Sequence, residues 1–406
     1  RSSDLAAFFG MASKYAEGLL AVKYREVAPD GRVLGGPFYY IENGIKDRYG
    51  WNARWLGKLF ALFGCIAGAF GIGTITQING IASAAETFFA SPTVFTIGAD
   101  KQITVVTIIV AVVVTFFAAL VIIGGIKRIA AMTEKLVPFM VILYLIGTLF
   151  IIITHITAIP AVFVSIFQGA FHLKSAAGAA VGSGVALAMK MGMKRGVFSN
   201  EAGLGSSVMV HSSSNVKEPV RQGMWGIFEV FADTIIVCTL TALTILSSGA
   251  FDLSTGALAG HAADVEASNL MSYAFEQAFG KPGSMFIAIA ILLFAYSTVL
   301  GWSHYGTKAF EYLFGTKAII IYRVIFVAMV MFGALVNAQL AWDISDTFNG
   351  LMMIPNLIGV IVLSPQVMEC TSNYVARKMK GDTSVTPMLS LFEDIEEEQL
   401  QRPDED

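Results

Sequence analysis

The sequence predicts an all-α protein that crosses a membrane many times. Its residues are 55% hydrophobic and only 14% charged, whereas a soluble domain averages about 25% charged residues. The apolar residues form continuous runs close to the length that a helix needs to cross a hydrocarbon layer of about 30 Å. The lipid bilayer is therefore the first partner that the sequence implies. A net charge of −3 gives no indication of nucleic-acid binding.

Nine apolar segments are candidate membrane spans. The first, Leu5–Val22, is about the minimum length for a span and directly follows Arg1 to Asp4, so we expect the chain to begin partway through a longer protein. The others are Trp55–Ser83, Ile103–Gly125, Leu136–Thr154, Ala176–Met193, Met224–Leu246, Ser284–Trp302, Ala318–Val336 and Ile344–Leu363. We expect a transmembrane domain over residues 1–370 and a disordered, acidic, cytoplasmic tail over residues 371–406.

Lysine and arginine residues alternate in abundance between the gaps that separate these segments. The gap after the first segment holds seven of them, and the next holds only Lys101. Lys194 and Arg195 are counted in the basic gap after the fifth segment, and Arg377, Lys378 and Lys380 open the tail. Basic loops stay in the cytoplasm. The pattern predicts a multi-pass protein of the cell membrane with a cytoplasmic C-terminus.

Catalytic and metal-binding patterns are missing from the sequence. Cys65, Cys238 and Cys370 lie far apart, and no zinc-protease helix, phosphate loop or dinucleotide fingerprint is present. Ser199, Ser206 and His211 show no spacing that would single out a nucleophile and its base. We therefore do not expect an enzyme.

The stretch Lys194–Gly205, which reads KRGVFSNEAGLG, interrupts an otherwise apolar region. Polar, glycine-rich backbone at membrane depth is tolerated only where it is buried in protein or lines a cavity. In transporters such broken helices hold the substrate and the coupling ion. Free carbonyls and Asn200 could accept hydrogen bonds from an ammonium group, and Glu201 could be an ion partner or a cation site. The alternative is a cytoplasmic loop.

Two further polar clusters lie inside apolar segments. Gly71–Gly80 carries Gln77, whose amide offers donors and an acceptor that suit an amino acid, although glycines also serve helix packing. Ser297 and Thr298 offer hydroxyl oxygens of the kind that hard cations prefer, although such hydroxyls often bond to their own helix. Trp302, one turn after Thr298, could wall a pocket or anchor the helix at the interface.

Several charged residues also fall within or beside the apolar segments. Glu229 and Asp233 are four residues apart, a spacing at which like charges repel. Lys14 and Glu17 form an opposite-sign pair three residues apart, which we interpret as structural. Asp343, Asp346 and Asn349 start the last segment and could lie at the extracellular mouth.

Six strings in the sequence strongly resemble the alanine or glycine:cation symporters. The likeness runs in order along nearly the whole chain to about Ser364. The strings are GGPFYYIENG (Gly35–Gly44), FGIGTITQ (Phe70–Gln77), KRGVFSNEAGLGS (Lys194–Ser206), VCTLTAL (Val237–Leu243), FAYSTVLGWSHYG (Phe294–Gly306) and IPNLIG (Ile354–Gly359).

The resemblance implies a leucine-transporter-type fold, an inverted repeat of five plus five helices. It also implies uptake of alanine or glycine coupled to Na⁺ or H⁺, through alternating access. By motif, the residues that would contact the substrate are Gln77, Phe198, Ser199, Asn200, Thr298 and Trp302. The ligands of Na⁺ would be the Phe294 carbonyl and the hydroxyls of Ser297 and Thr298.

The chain departs from the family at its start. Members carry an N-terminal helix and a broken first core helix with a Gly-Thr-Gly-Asn stretch, and this sequence opens at the helix that follows. The resemblance therefore predicts a fold that lacks both helices, with about half of each site. The alternative function is a membrane scaffold or receptor that does not transport. No protein partner is implied.

Overall fold

A computed structural model describes residues 2–89, 91–97, 101–171, 179–253, 258, 259 and 269–402 of the chain. Helices make up most of this part. The two small antiparallel sheets both lie in connections between helices. The architecture is therefore a helical bundle, as the long apolar runs predict.

The first half of the bundle begins with α1, which is followed by a short hairpin and a cluster of short helices. The elements in order are α1 Ser2–Lys23, β1 Glu26–Val27, β2 Val33–Leu34, α2 Pro37–Tyr39, a π-helical turn Tyr40–Gly44, α3 Ile45–Tyr49, α4 Arg54–Phe70, α5 Ile75–Phe88, β3 Thr93–Ile97, β4 Lys101–Thr104, α6 Val105–Ile123, α7 Ile126–Thr154, a 3-10 turn Ile156–Ala158 and α8 Ile159–Phe171.

The second half contains the longest helix. Its elements are α9 Ala179–Asn200, α10 Val208–His211, α11 Pro219–Val230, a π-helical segment Phe231–Cys238, α12 Thr239–Ser247, α13 Leu270–Phe279, α14 Lys281–Phe314, a 3-10 turn Thr316–Ala318, α15 Ile319–Gly333, α16 Ala338–Val362, α17 Ser364–Tyr374, a π-helical segment Val375–Met379 and α18 Glu393–Gln401. At about 1.5 Å per residue, α14 is about 50 Å long and extends well beyond a hydrocarbon layer.

Seven helical stretches in the described part are long and apolar enough to cross a membrane. They are Arg54–Glu86, Val105–Ile123, Lys127–Thr154, Pro219–Ser247, Lys281–Phe314, Thr316–Gly333 and Ala338–Val362, and each corresponds to a span predicted from the sequence. The other two predicted spans coincide with helices outside this set. Leu5–Val22 lies in α1, which carries four charged residues, and Ala176–Met193 overlaps α9 but begins outside the described residues.

The predicted span Trp55–Ser83 is one continuous run in sequence but two helices in the structure. A turn over residues 71–74 separates α4 from α5, and Thr74 donates a hydrogen bond to the Ala69 carbonyl at 2.5 Å. Glycines before and within this turn allow close packing against α14. A Cβ atom on Gly68 would lie 3.4 Å from the Trp302 carbonyl oxygen, and one on Gly73 would lie 2.4 Å from the Trp302 Cβ. The turn therefore brings α4 and α5 against the centre of α14.

Two apolar cores position the rest of the chain. The larger core contains buried residues of α4, α5, α6, α14 and α15, with Phe60, Trp302 and Phe326 among its largest side chains. The smaller core joins α1 to the π-helical turn after α2 and to α17, around Leu20, Tyr24 and Tyr40. The broken region that follows α9 lies between them, since Leu204 and Met209 belong to the larger core and Val208 to the smaller.

The acidic end of the chain differs from its predicted disorder. Residues 393–401 form α18, whose Ile395 is buried, and residues 389–391 bond to the end of α1. A charge-rich composition does not reveal the two residues of this helix that face inward, Ile395 and Gln399. Residues 403–406 lie outside the described residues.

Candidate functional site

The predicted interruption after Lys194 is present, and it begins later than the apolar run suggested. Helix α9 continues through Asn200, so Lys194 and Arg195 are helical residues and the interruption starts only at Glu201. Glu201 then adopts a left-handed backbone with φ of 56°, as do Gly203 and Gly205 with φ of 83° and 77°. A left-handed backbone at a residue other than glycine costs of order 1–3 kcal/mol and is concentrated at functional sites.

Glu201 is held in this conformation by both of its carboxyl oxygens. The indole nitrogen of Trp302 donates to Oε1 at 2.9 Å, and the Ser206 hydroxyl donates to Oε2 at 2.6 Å. Trp302 is itself almost fully buried, with 2% of its surface exposed. The break is therefore fixed to the centre of α14 through one carboxyl group.

Asn356 of α16 fixes the other side of the break. Its amide nitrogen donates to Glu17 Oε1 at 2.5 Å and to the Gly203 carbonyl at 2.8 Å, and its amide oxygen accepts from the Tyr40 hydroxyl. Asn356 and Glu17 are both completely buried. One side chain thus joins α1, the π-helical turn after α2, the break and α16.

Five of the six strings that carry the family resemblance meet around this break. They contribute Tyr40, Gly73, Glu201, Trp302 and Asn356, which are linked by the contacts just described. The residues are scattered over more than 300 positions of sequence, and the fold brings them to one place. The sequence indicated Glu201 as a partner for a basic residue or as a proton or cation site, and it gave no indication that Tyr40, Glu17 or Asn356 belong to the site.

Lys14 and Glu17 were predicted to form a pair with each other. In the structure each of them bonds to other groups. The Lys14 ammonium donates to the Asn200 carbonyl at 3.2 Å and lies 3.9 Å from Glu229 Oε2. Lys14 is 3% exposed. A carbonyl that the sequence suggested for a substrate ammonium is therefore occupied by a lysine in this conformation, which shows that an ammonium group fits there.

A polar cavity of about 550 Å³ opens beside the break. Its charged side chains are Lys14, Glu201, Glu229 and Asp233, so acidic groups predominate and favour a cationic occupant. The other lining residues are Ser199, Asn200, Ser207, Val210, His211, Ser213, Ser214, Gln222 and Tyr305. Two of the six substrate residues predicted from the sequence, Ser199 and Asn200, are in this lining.

The two acidic residues on the far wall have separate partners. Glu229 Oε2 lies 3.2 Å from His211 Nε2, and Gln222 contacts the other ring nitrogen of that histidine at 2.5 Å. Asp233 accepts from the Ser199 hydroxyl at 2.8 and 3.0 Å. The repulsion expected between two carboxylates four residues apart is therefore offset by a donor for each.

Asn200 turns its side chain toward the same wall. Its amide nitrogen donates to Thr234 Oγ1 at 3.0 Å, and its amide oxygen accepts from the Ala202 backbone at 3.0 Å. Ser199 and Asn200 therefore tie the end of α9 to the π-helical segment Phe231–Cys238. The position of the break therefore depends on α9 and on the π-helical segment.

Phe198 lies away from the cavity lining, under a charged cluster between α9 and α16. Its ring is 4.9 Å from that of Trp342, and the Arg195 guanidinium lies 3.9 Å from the Trp342 ring centroid. Asp346 pairs with Lys194 and lies 3.6 Å from Arg195. Asp346 was predicted at the mouth of the protein, and these contacts place the cationic end of α9 at the same level of the bundle.

The predicted sodium ligands lie on one turn of α14. The Ser297 and Thr298 hydroxyls both donate to the Phe294 carbonyl, at 2.8 and 3.0 Å. Three oxygens are thus gathered within one helical turn, although the hydroxyls make the local bonds that we weighed as the alternative. An oxygen-only set of this kind suits a hard cation, which would need further oxygens from other elements.

Gln77 bonds locally rather than to the other predicted residues. Its amide nitrogen donates to the Ile72 carbonyl at 3.1 Å, so it satisfies a carbonyl freed by the turn between α4 and α5. The structure therefore joins Trp302 to Ser199 and Asn200 through Glu201. Among the described residues, the side-chain hydrogen bonds and ring contacts of Gln77, Phe198 and Thr298 go to other partners than Ser199, Asn200, Glu201 and Trp302.

We expect replacement of Gly205 by alanine to destabilise the protein by about 1–3 kcal/mol. Its φ is 77°, and a Cβ atom there would lie 2.7 Å from both Asn356 Oδ1 and Pro37 Cγ. Thermal unfolding of the detergent-solubilised protein measures the change. Gly350→Ala in α16 is the matched control, because nothing lies within 4 Å of its Cβ position. Equal melting temperatures for the two variants would contradict the tight fit.

Comparison of the sequence with known proteins finds related membrane transporters. Residues 4–387 match the model of the sodium:alanine symporter family. A sodium/alanine symporter of Methanococcus maripaludis is 42% identical over 372 residues, which cover 91% of this chain and 76% of that protein. An uncharacterised transporter of Haemophilus influenzae is 41% identical over 92% of this chain and 76% of its own length. A probable sodium/glutamine symporter of Bacillus subtilis is 36% identical over 94% of this chain and 73% of its own length.

Proposed function

Because this chain belongs to the sodium:alanine symporter family, we propose that it imports a small neutral amino acid, such as alanine or glycine, together with Na⁺. The family is one of multi-pass membrane transporters with sodium-coupled amino-acid transport. The predictions of transport and of a non-enzymatic protein are thereby confirmed. The identity of the amino acid, the use of Na⁺ by this chain and the residues that bind both are the parts that we propose.

The single observation that carries the proposal is the helix break from Asn200 to Gly205. It is held open by contacts from α14 and α16 and lies beside an acidic cavity. Amino acids carry an ammonium group, and Lys14 shows that an ammonium can bond to the Asn200 carbonyl. We propose that the substrate ammonium uses this broken backbone and that Ser199 and Asn200 line its pocket. Phe198 and Gln77 lie outside the cavity lining, and only the family resemblance assigns them to the pocket.

Sodium would be held by the turn of α14 that carries the Phe294 carbonyl and the Ser297 and Thr298 hydroxyls. Rotation of the two hydroxyls would turn their lone pairs toward the ion, at the cost of their present bonds to Phe294. Trp302 lies one turn further on and contacts Glu201 of the break. The ion site and the substrate site would therefore be joined through a single rigid helix.

We further propose the leucine-transporter-type inverted repeat and a cytoplasmic C-terminus. A broken helix at the site is typical of such transporters. The basic residues of the tail, Arg377, Lys378 and Lys380, follow α17 directly and favour the cytoplasmic side. Alternating access would then rock the helices that carry the break against those that carry Ser297 and Thr298.

The energetics of one Na⁺ per substrate are sufficient. One charge crossing about 100 mV gives about 2.3 kcal/mol, and a tenfold Na⁺ gradient adds about 1.4 kcal/mol. The sum of about 3.7 kcal/mol supports accumulation of about 500-fold.

We expect Thr298→Ala to raise the Na⁺ concentration for half-maximal uptake about tenfold, which corresponds to about 1.4 kcal/mol. The measurement is uptake of labelled L-alanine into proteoliposomes that contain the full chain, over a series of Na⁺ concentrations. Ser284→Ala is the matched control. Ser284 lies in the same helix, is buried and also donates to a carbonyl of its own helix, that of Lys281 at 3.1 Å. An equal shift in both variants would contradict the ion site.

The substrate is tested in the same vesicles with alanine, glycine, D-alanine and glutamine as competitors. We expect alanine or glycine to compete best. Strong competition by glutamine alone would transfer the assignment to the specificity named for the Bacillus subtilis relative. Sodium-independent uptake with a proton gradient would replace Na⁺ by H⁺, and binding without uptake would favour the scaffold or receptor.

A further inference from the structure

The C-terminal segment, defined here as residues 389–402, is docked on the end of α1. The Leu391 amide donates to the Lys23 carbonyl at 2.9 Å, and the Lys23 ammonium donates to the Leu389 carbonyl at 3.1 Å. Leu389 and Lys23 are both buried. These reciprocal bonds fix the segment to Lys23, the last residue of α1.

Helix α18 within this segment is folded back on its own beginning. Gln399 is completely buried, and its amide oxygen accepts from the Ser390 backbone at 2.8 Å. Ile395 is 2% exposed, whereas Glu393, Asp394, Glu397 and Glu398 face outward. The segment therefore has an inner face that packs on the protein and an acidic outer face.

The segment also contacts the loop between α10 and α11. The Arg402 guanidinium donates to the Val216 carbonyl at 3.1 Å and pairs with Glu398 at 2.7 Å. Arg25, just beyond α1, donates to the carbonyls of Ser212 and Ser214 at 2.8 and 2.6 Å. Burial lowers the pKa of Arg25 to about 10, and the positive charge of nearby Arg402 acts in the same direction.

Residues 212–218 are thus tied down from three sides. Besides Arg25 and Arg402, Arg377 pairs with Glu218, the residue that precedes the first turn of α11. This loop is the direct continuation of the broken helix, because α10 is only four residues long. A movement of the break that shifts α10 must also shift this loop, and it must then separate some of these contacts.

The docked segment lies beyond the residues that match the family model. The family match ends at residue 387, and the C-terminal segment begins at residue 389. The segment therefore packs on matched residues, which include α1 and the loop 212–218. A segment hydrogen-bonded to this loop can restrain the loop without belonging to the site, and is thereby suited to regulation.

We propose that residues 389–402 form an autoinhibitory latch, which in the docked state holds the loop 212–218 against α1 and slows the opening of the broken helix toward its own side of the membrane. The inference rests on the proposed transport function. Undocking would free Arg402 from Val216 and Leu391 from Lys23, and only the contacts of Arg25 and Arg377 would then resist the movement. The latch would thereby set the rate of the transport cycle without contacting substrate or ion.

The test compares the full chain with a variant that ends at Met388 and with Arg402→Ala. We expect the initial rate of Na⁺-driven alanine uptake to rise about fivefold in the truncated variant, and by a smaller factor in Arg402→Ala. A rise cannot result from misfolding, which would lower the rate. Gln401→Ala is the matched control, because Gln401 lies in the same helix with an exposed side chain. It should transport at the rate of the full chain.

Hydrogen exchange of residues 207–218 supplies a readout that does not depend on transport. We expect faster exchange there in both the truncated variant and Arg402→Ala, and no change in Gln401→Ala. Faster exchange with an unchanged or lower uptake rate would overturn the latch as a brake. Unchanged exchange would overturn the docking itself. Faster exchange in a protein that imports no amino acid would defeat the proposed transport function and leave the docking established.

Discussion

Replacement of Asn356 by leucine is expected to destabilise the protein by about 3 kcal/mol or more and to abolish transport. The substitution removes the donor to Glu17 and to the Gly203 carbonyl, and it removes the acceptor for the Tyr40 hydroxyl. All these groups are buried, and Glu17 Oε2 already lacks a hydrogen-bond partner among the described residues. The leucine variant would leave the buried Glu17 carboxyl group without its side-chain donor. Thermal unfolding in detergent and uptake in vesicles measure the two effects.

A double-mutant cycle separates this cause from simple misfit of the leucine. If the cost of Asn356→Leu comes mainly from Glu17, then the same substitution in a Glu17→Leu background should cost at least 1 kcal/mol less. Additive effects of the two substitutions would show that Asn356 acts through Gly203 and Tyr40 alone. The singly substituted Glu17→Leu protein serves as the reference for both comparisons.

Trp302→Phe is expected to lower the rate of amino-acid uptake at least tenfold, which corresponds to about 1.4 kcal/mol. Phenylalanine keeps an aromatic ring near Gly73 but cannot donate to Glu201 Oε1, which then loses its bond from α14. An unpaired buried carboxyl oxygen costs about 1–3 kcal/mol. The left-handed conformation of Glu201 would lose half of its side-chain support. Uptake kinetics in vesicles show whether the rate or the half-saturating alanine concentration changes.

Trp225→Phe is the control for this change of residue type. Trp225 lies in α11 with 56% of its surface exposed, so the same substitution there alters no buried hydrogen bond. A normal uptake rate in Trp302→Phe, equal to that of Trp225→Phe, would contradict the positioning role of the indole. Trp302→Ala extends the test. If that variant still selects alanine over larger amino acids, Trp302 does not restrict the size of the substrate.

The spans and the break could be predicted because each depends on residues that are neighbours in sequence. An apolar run can be recognised from local composition alone. The interruption after Asn200 is indicated by Ser199, Glu201 and the glycines that follow. The turn between α4 and α5 was not predicted, although Gly71–Gly80 was noted as a polar cluster, because glycines are equally common in closely packed helices. There the interruption is favoured by the close approach of Gly73 to Trp302, a contact across more than 200 positions.

The hydrogen-bond network around the break was harder to predict for the same reason. Glu17 and Asn356 are 339 residues apart, and neither belongs to a spacing that indicates a pair. Lys14 and Glu17 were paired by their spacing in a helix, whereas tertiary contacts provide both with stronger partners elsewhere. The docked acidic tail was missed because most residues of α18 are charged and only its few inward residues, such as Ile395 and Gln399, determine where it lies.

The contacts that shape the break also set the order in which the protein can mature. Glu201 depends on Trp302, which follows it by 101 residues, and Gly203 depends on Asn356, which follows it by 153. A ribosome that adds about 5–20 residues per second needs about 8–30 s to make the latter interval. During that time the newly made α9 lacks these two partners, and only Ser206 bonds to the Glu201 side chain. The site is therefore completed only after the synthesis of α16.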